Sequence, residues 1–451
     1  MMIEESWFRS RAWGEEKLRC RKRELTFIFV AVLAGGSPAS VPAAEAVFAS
    51  YKIRPVPAKG IISVEARVQL QGRLPYIKDF DRIEGVRWLI GKKEVAVKPE
   101  RLKDIVTFGG IPPSGEARVV YSIKVAPGFP RGSHPDRLPF VGGPDFVYVS
   151  GGLFLGLKGA EAGRVDVRWE LPPGWTLGLG RSGLQTFRET QERFWVAGRM
   201  KHTTTLHIEG ACLQLAIFNP SSSLNIARIE KSISSIFGYA WSRVGPLPEA
   251  DFGLAVFPKG TLSLPGWTRY PCILVDNVES ATPHEILHLW MNNSTPAWFR
   301  EGVLEYMSRK LMIYVGLLNE AALHAWLRAG LAARTGPAGR AEGQKSLADS
   351  SAEIDGGGGP GTDIYTLMPA LAYKLDREIQ AQAPGRALDD VFFAVCRKRP
   401  QKVDIPAMIK DITGYDPQPL FTRYFYAGIE NADDLLKEPG TRLPQTTPSR
   451  G

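Results

Sequence analysis

The stretch Thr282-Pro-His-Glu-Ile-Leu-His-Leu-Trp290, followed by Pro296-Ala-Trp-Phe-Arg-Glu-Gly-Val-Leu-Glu-Tyr306, decides how this chain is read. Residues four apart on a helix lie one above the other, so His284 and His288 would present their imidazoles to one point, with Glu285 beside them. Pro283 suits the first turn of such a helix, and Ile286, Leu287 and Leu289 would anchor its other faces in a core. The same pattern also arises on ordinary core helices, and a third ligand separates the two readings. The second segment predicts a helix that returns after a turn at 292–296 and brings Glu301 towards the histidines. Two His and one Glu leave a fourth position open for water, the donor set of a hydrolytic zinc site. One Zn2+ per chain is therefore expected. Such a metal lowers the pKa of its water and polarises a carbonyl. Glu285 is then the expected general base, taking the water's proton and passing it to a leaving amine. The reaction this implies is peptide-bond hydrolysis, with a peptide or protein as substrate.

Other candidates are weaker. Glu305, one turn beyond Glu301, has two readings: it accepts a hydrogen bond from the distal nitrogen of a ligand His and fixes its tautomer, or it is a solvated helix carboxylate. Trp290 and Trp298 read as packing residues. His202 and His207, five apart on a strand, face opposite sides and read as structural. No Gly-x-Ser-x-Gly elbow is present. Cys212, Cys272 and Cys396 are widely spaced and odd in number, which suits buried single thiols better than a disulfide scaffold, with one bridge as the other reading.

Working outward, 451 residues with 44% hydrophobic and 23% charged residues describe a folded chain of two or three domains. The formal charge is +9; residues 1–44 carry seven Lys/Arg less five Glu, or +2, which leaves +7 scattered over the rest. No Lys/Arg stripe interleaved with aromatics is seen, which argues against a nucleic-acid partner. Residues 1–44 combine a basic stretch, a short apolar run at 26–34 and the small-residue segment Val41-Pro-Ala-Ala44, and read as an export signal. Cleavage would release a periplasmic or extracellular protein, and no later stretch approaches a transmembrane span. From 45 to 215, short alternating runs punctuated by Gly and Pro predict a β-sandwich-like domain. The period then changes. An amphipathic helix at 223–237, a strand at 252–257 and helices at 283–291, 297–310, 320–333, 365–382, 387–397 and 405–413 predict a mainly helical catalytic domain over 216–428. The Gly-rich segment 335–362 reads as a mobile surface loop and 429–451 as a polar tail. The fold class expected is α+β and multidomain.

The residues 284–290 and 298–306 together resemble the M61 glycyl aminopeptidase family of gluzincin metallopeptidases. Phe146–Leu157 with the turn Leu171-Pro-Pro-Gly-Trp175 looks like that family's N-terminal β-domain, and Leu388-Asp-Asp-Val391 and Thr413-Gly-Tyr-Asp416 look like its helical C-terminal part. The resemblance implies a β-sandwich followed by a thermolysin-like catalytic domain. It also implies that Tyr365 assists the oxyanion; a packing tyrosine is the alternative. Three departures stand out. The family's Lys-Gly after that Tyr is replaced by Leu367-Met368, the strand whose carboxylate engages a substrate amine reads Lys259-Gly-Thr-Leu-Ser-Leu-Pro-Gly-Trp267, and there is no room for a PDZ-like domain. A catalytically impaired or non-catalytic gluzincin-like peptide-binding protein is the second reading.

Overall fold

Strict alternation of apolar and polar residues builds the β-rich half. Strand Ile61–Gln69 buries Ile62, Val64, Ala66 and Val68 and turns Glu65 and Arg67 outward, as period-2 geometry requires. The computed structural model describes residues 47–78, 80–102, 105–127, 140–141, 145–218, 225–247, 251–259, 266–269, 272–276, 278–335, 345–356, 362–399, 403–427, 429 and 432–437. The expected export signal at 1–44, residues 260–265 and the glycines at 357–359 lie outside them.

A seven-stranded sheet takes its strands in the order Gly183–Thr186, Arg164–Trp169, Val47–Val56, Ile61–Gln69, Glu116–Lys124, Ile83–Ile90 and Lys93–Val95. A five-stranded sheet contains Thr176–Leu179, Phe194–Gly198 and Phe146–Ser150. The last two of these are buried at every position, because each face of that sheet meets a different core. Val147, Val149, Trp195 and Ala197 join the core of the seven-stranded sheet. Phe146, Tyr148, Phe194 and Val196 pack on the other side against Ala216, Phe218, Ala255, Phe257, Cys272 and Leu274.

Those partners belong to a third sheet, which carries the helices. Its strands are β1 (Met200–Ile208), β2 (Ala211–Phe218), β3 (Asp251–Val256), β4 (Gly266–Arg269) and β5 (Cys272–Val275), in the spatial order β1-β2-β3-β5-β4. β2, β3 and β5 are parallel to one another, while β1 and β4 run antiparallel at the two edges. The parallel strands read as continuous apolar runs because both faces are covered: Leu213, Leu215, Ile217, Leu254, Val256, Ile273 and Val275 face the helical core. β2 runs through the expected 215/216 boundary, so the hairpin β1–β2 contributes to the sheet beneath the helices.

The helices are α1 (Ile226–Val244), α2 (Val278–His288), α3 (Leu304–Tyr314), α4 (Glu320–Thr335), α5 (Leu347–Asp355), α6 (Thr362–Thr366), α7 (Met368–Gln382), α8 (Leu388–Lys398) and α9 (Ile405–Thr413). Several expectations are corrected. Pro283 lies inside α2, well past its first turn. The segment read as the loop 335–362 contains helix α5, with Ser346 as its N-cap. The helix expected over 365–382 is two helices, because the Pro369 ring cannot continue a helix through the Tyr365 carbonyl and instead occupies the first turn of α7. The supposed tail is partly folded: Ile429 and Leu435 are buried in the helical core, and Lys374 Nζ donates to the Lys437 carbonyl at 2.7 Å. Trp290 and Trp298 are packing residues, the first donating Nε1–H to the Gly245 carbonyl at 2.9 Å, the second between Phe421 and Phe425. Cys212, Cys272 and Cys396 are buried thiols, none of them in a disulfide.

Candidate metal and catalytic site

Helix α2 presents His284 and His288 from successive turns, their Nε2 atoms 3.0 Å apart. Glu301 arrives from a π-type turn, Trp298–Val303, that leads straight into α3. Such wide turns occur mostly as single insertions at functional positions. This one is pressed onto α7 at Gly302, where a Cβ would fall 2.3 Å from Met368 Cγ and 2.8 Å from the Ile364 carbonyl. Only glycine lets the turn approach this closely. Glu301 Oε2 then lies 3.5 Å from each imidazole Nε2.

Among the described residues, His284, His288 and Glu301 are the one group placed to hold a metal ion. Four donors arranged tetrahedrally about 2.0–2.1 Å from zinc stand about 3.3 Å from one another. The separations of 3.0, 3.5 and 3.5 Å match that spacing. Two imidazoles and one carboxylate are also the donors of an open zinc site.

Around these three lies a set of charged partners. His284 Nδ1 is 2.6 Å from Glu305 Oε2, and Glu305 Oε1 is 2.8 Å from an Arg309 Nη. The Arg309 guanidinium lies over the Trp326 ring at 4.0 Å. Of the two readings of Glu305, the geometry matches contact with the distal nitrogen of His284. Burial alone would lower the pKa of His284, but the carboxylates of Glu305 and Glu301 outweigh it and push it up to about 10. Burial would also favour neutral carboxyls at Glu301 and Glu305. The His288 and His284 rings instead hold Glu301 well below the usual carboxylate range, and His284 and Arg309 hold Glu305 below it.

Glu285 is buried beside the histidines. Desolvation raises its pKa, against the pull of both imidazoles. Its Oε2 accepts a hydrogen bond from the Thr268 hydroxyl at 2.6 Å. Tyr365 is 36% exposed, at the open side of the group, and its hydroxyl donates to Glu301 Oε2 at 3.0 Å. Burial and the Glu301 charge push its pKa up, so the phenol keeps its proton.

Two residues near the site were not singled out from sequence, Arg300 and Thr268. Arg300 Nε donates to Glu301 Oε1 at 3.2 Å, and its Nη atoms reach the Asn293 and Thr295 carbonyls at 2.6 and 2.9 Å and Asp355 at 3.5 Å. Asp355 and Ser351 of α5 accept from the amides of Ala297 and Trp298, and so cap the turn that carries Glu301. These residues occupy distant parts of the sequence and follow no spacing rule. His202 and His207 stand apart from the site: His202 Nε2 pairs with Glu230 at 2.7 Å, and His207 Nδ1 contacts Cys212 Sγ at 3.4 Å.

The fold has solved counterparts. An aminopeptidase N family protein from Idiomarina loihiensis superimposes with a TM-score of 0.62 at 15% identity, over 86% of this chain and 75% of that one. An M1 zinc metallopeptidase from Deinococcus radiodurans superimposes with a TM-score of 0.50 at 15% identity, over 84% of this chain and 94% of that one. The fold is shared with these two proteins. No family model matches the sequence, and no curated protein matches it. Among the described residues, no helix is long and apolar enough to cross a membrane.

Proposed function

We propose that the chain is an exported zinc-dependent peptidase in which His284, His288 and Glu301 hold the metal and Glu285 is the general base. The observation that carries this reading is the convergence of three donor atoms at zinc-like separations beside a buried, proton-hungry carboxylate. Further support comes from a variant of the Deinococcus radiodurans enzyme that is described as bound to a Tyr-Ser-Ala substrate. The resemblance of residues 284–290, 298–306, 388–391 and 413–416 to M61 glycyl aminopeptidases favours that branch, with exopeptidase specificity open because the amine-engaging carboxylate is missing from 259–267. Export rests on the signal-like residues 1–44.

A zinc ion bound here would supply a Lewis acid for the scissile carbonyl and a more acidic water. The protein's own groups do the rest. Glu285, whose proton affinity burial raises above that of an ordinary carboxylate, would take a proton from the attacking water and deliver it to the leaving amine. Tyr365, with its phenol protonated and at the open side, is placed to donate to the oxyanion of the tetrahedral intermediate. Glu305 holds the His284 ring by Nδ1, which leaves Nε2 for the metal.

The test is the mature protein and its Glu285→Gln variant, with metal content and hydrolysis of free-amine and N-acetylated versions of one peptide library measured on the same samples. The expected result is about one zinc in both, and turnover lower by roughly 10²–10⁴-fold in the variant. Unchanged hydrolysis in Glu285→Gln, or protein unable to take up metal, overturns the reading. Zinc uptake without hydrolysis of any peptide would favour the peptide-binding alternative.

A further inference from the structure

Among the described residues, strand β4 lies at one edge of the helix-bearing sheet, bonded to β5 with Gly266 opposite Val275 and Thr268 opposite Ile273. Residues two apart on a strand share a face, and here that face meets Glu285. A Cβ at Gly266 would fall 2.7 Å from both Glu285 Cγ and Oε1. The carboxylate therefore occupies the space that any other residue at 266 would fill. Two residues on, the Thr268 hydroxyl lies 2.6 Å from Glu285 Oε2 and 2.9 Å from the Glu285 carbonyl. That carbonyl belongs to the last turn of α2, where the chain tightens and the Leu289 amide bonds to Ile286 instead.

We propose that Gly266 and Thr268 form a seat for the general base, with Thr268 as a positioning residue that fixes the Glu285 carboxylate beside the metal group. The proposal rests on the reading of Glu285 as the base. Two independent features carry it, a gap that only glycine leaves and a hydroxyl aimed at one carboxylate oxygen. A hydroxyl both donates and accepts. Thr268 is thus complementary to Glu285 before it takes a proton, by donating to Oε2, and after, by accepting from the acid while donating to the carbonyl. Valine fills the same volume and can do neither. The two contacts on Glu285, side chain and main chain, also tie the carboxylate's rotamer to the helix that bears it.

The experiment compares wild type, Thr268→Val, Thr268→Ser, Gly266→Ala, Glu285→Gln and the double variant Thr268→Val/Glu285→Gln for kcat, KM, zinc content and thermal midpoint. Loss of the hydroxyl should lower kcat by about 10–100-fold, the usual weight of a group that orients a ligand or base, with KM and zinc content unchanged. Thr268→Ser should recover most of that loss. Gly266→Ala, which displaces the carboxylate, should lower kcat while keeping its zinc. In the Glu285→Gln background Thr268→Val should cost nothing further, because both changes remove one function. Wild-type kcat in Thr268→Val, or a fully additive loss in the double variant, overturns the proposal and leaves the peptidase reading intact. If Glu285→Gln itself keeps wild-type turnover, the base assignment falls and the proposal falls with it. A fold too unstable to assay in Thr268→Val shifts the decision to Gly266→Ala and Thr268→Ser, whose kcat values carry the same expectations.

Discussion

Arg300 and Glu301, neighbours in sequence, divide one carboxylate between two tasks: Arg300 Nε holds Oε1 at 3.2 Å, and Oε2 is left facing both imidazoles. The guanidinium is itself fixed by the Asn293 and Thr295 carbonyls and by Asp355. Removing it frees the Glu301 carboxylate to rotate away from the histidines. Arg300→Met should therefore weaken zinc binding by about 10–100-fold, read by competition with a chromophoric chelator. Glu301→Gln, measured alongside, should lose more.

Zinc uptake should release a proton that belongs to His284. In the metal-free protein its pKa is held up to about 10 by Glu305 and Glu301 against burial, so at pH 8 the ring is charged and the metal must displace its proton. Calorimetry in buffers of different ionisation enthalpy should give about one proton per zinc from this group at pH 8, falling away above pH 10. The sign for folding follows. A raised folded-state pKa makes this contribution to metal-free stability complete below about 6.5 and lost as the pH rises through about 10. Glu305→Gln should release fewer protons.

The end of α2, the helix of His284 and His288, is held by a residue far away in sequence. Arg399, in the left-handed region at φ 42°, donates to the Leu289 and Trp290 carbonyls just after α2. Cations at a helix C-terminus also interact well with its dipole. Arg399→Ala should lower stability by about 1–2 kcal/mol, read from urea unfolding, and leave zinc stoichiometry intact.

Thiol counting tests both burial and processing. Burial pushes the Cys396 thiol up to about 12, and Cys212 and Cys272 are also buried thiols outside any disulfide. Native protein should react slowly with a disulfide reagent. In denaturant, a mature chain should titrate three thiols, whereas a chain that keeps residues 1–44 should titrate four, Cys20 being the fourth. A fast-reacting thiol in the native state would contradict the burial.

The convergence of His284, His288 and Glu301 was legible because its spacing is local: both histidines and Glu285 sit on successive turns of one helix, and Glu301 follows at a distance a helix and a turn can cover. The β-rich half was legible where strands are half-buried, as in 61–70 and 118–125, and less so at β5, whose Cys272-Ile-Leu-Val275 has no alternation because both faces are covered. Helix α5 was hidden by the glycines that follow it. Arg300, Thr268 and Asp355 escaped because their roles depend on tertiary contacts, for which the sequence carries no period. Pro283 misled, since its usual place is a helix start, whereas here packing carries the helix past it.

The five-stranded sheet, which turns Phe146 and Tyr148 into one core and Val147 and Val149 into another, has a practical meaning. The β-rich half is no detachable appendage. A protein engineer who trimmed the chain to its helical part would strip the rear wall from the strands beneath the helices and bare Phe218, Phe257 and Leu274 to water. The two layers stand or fall as one piece.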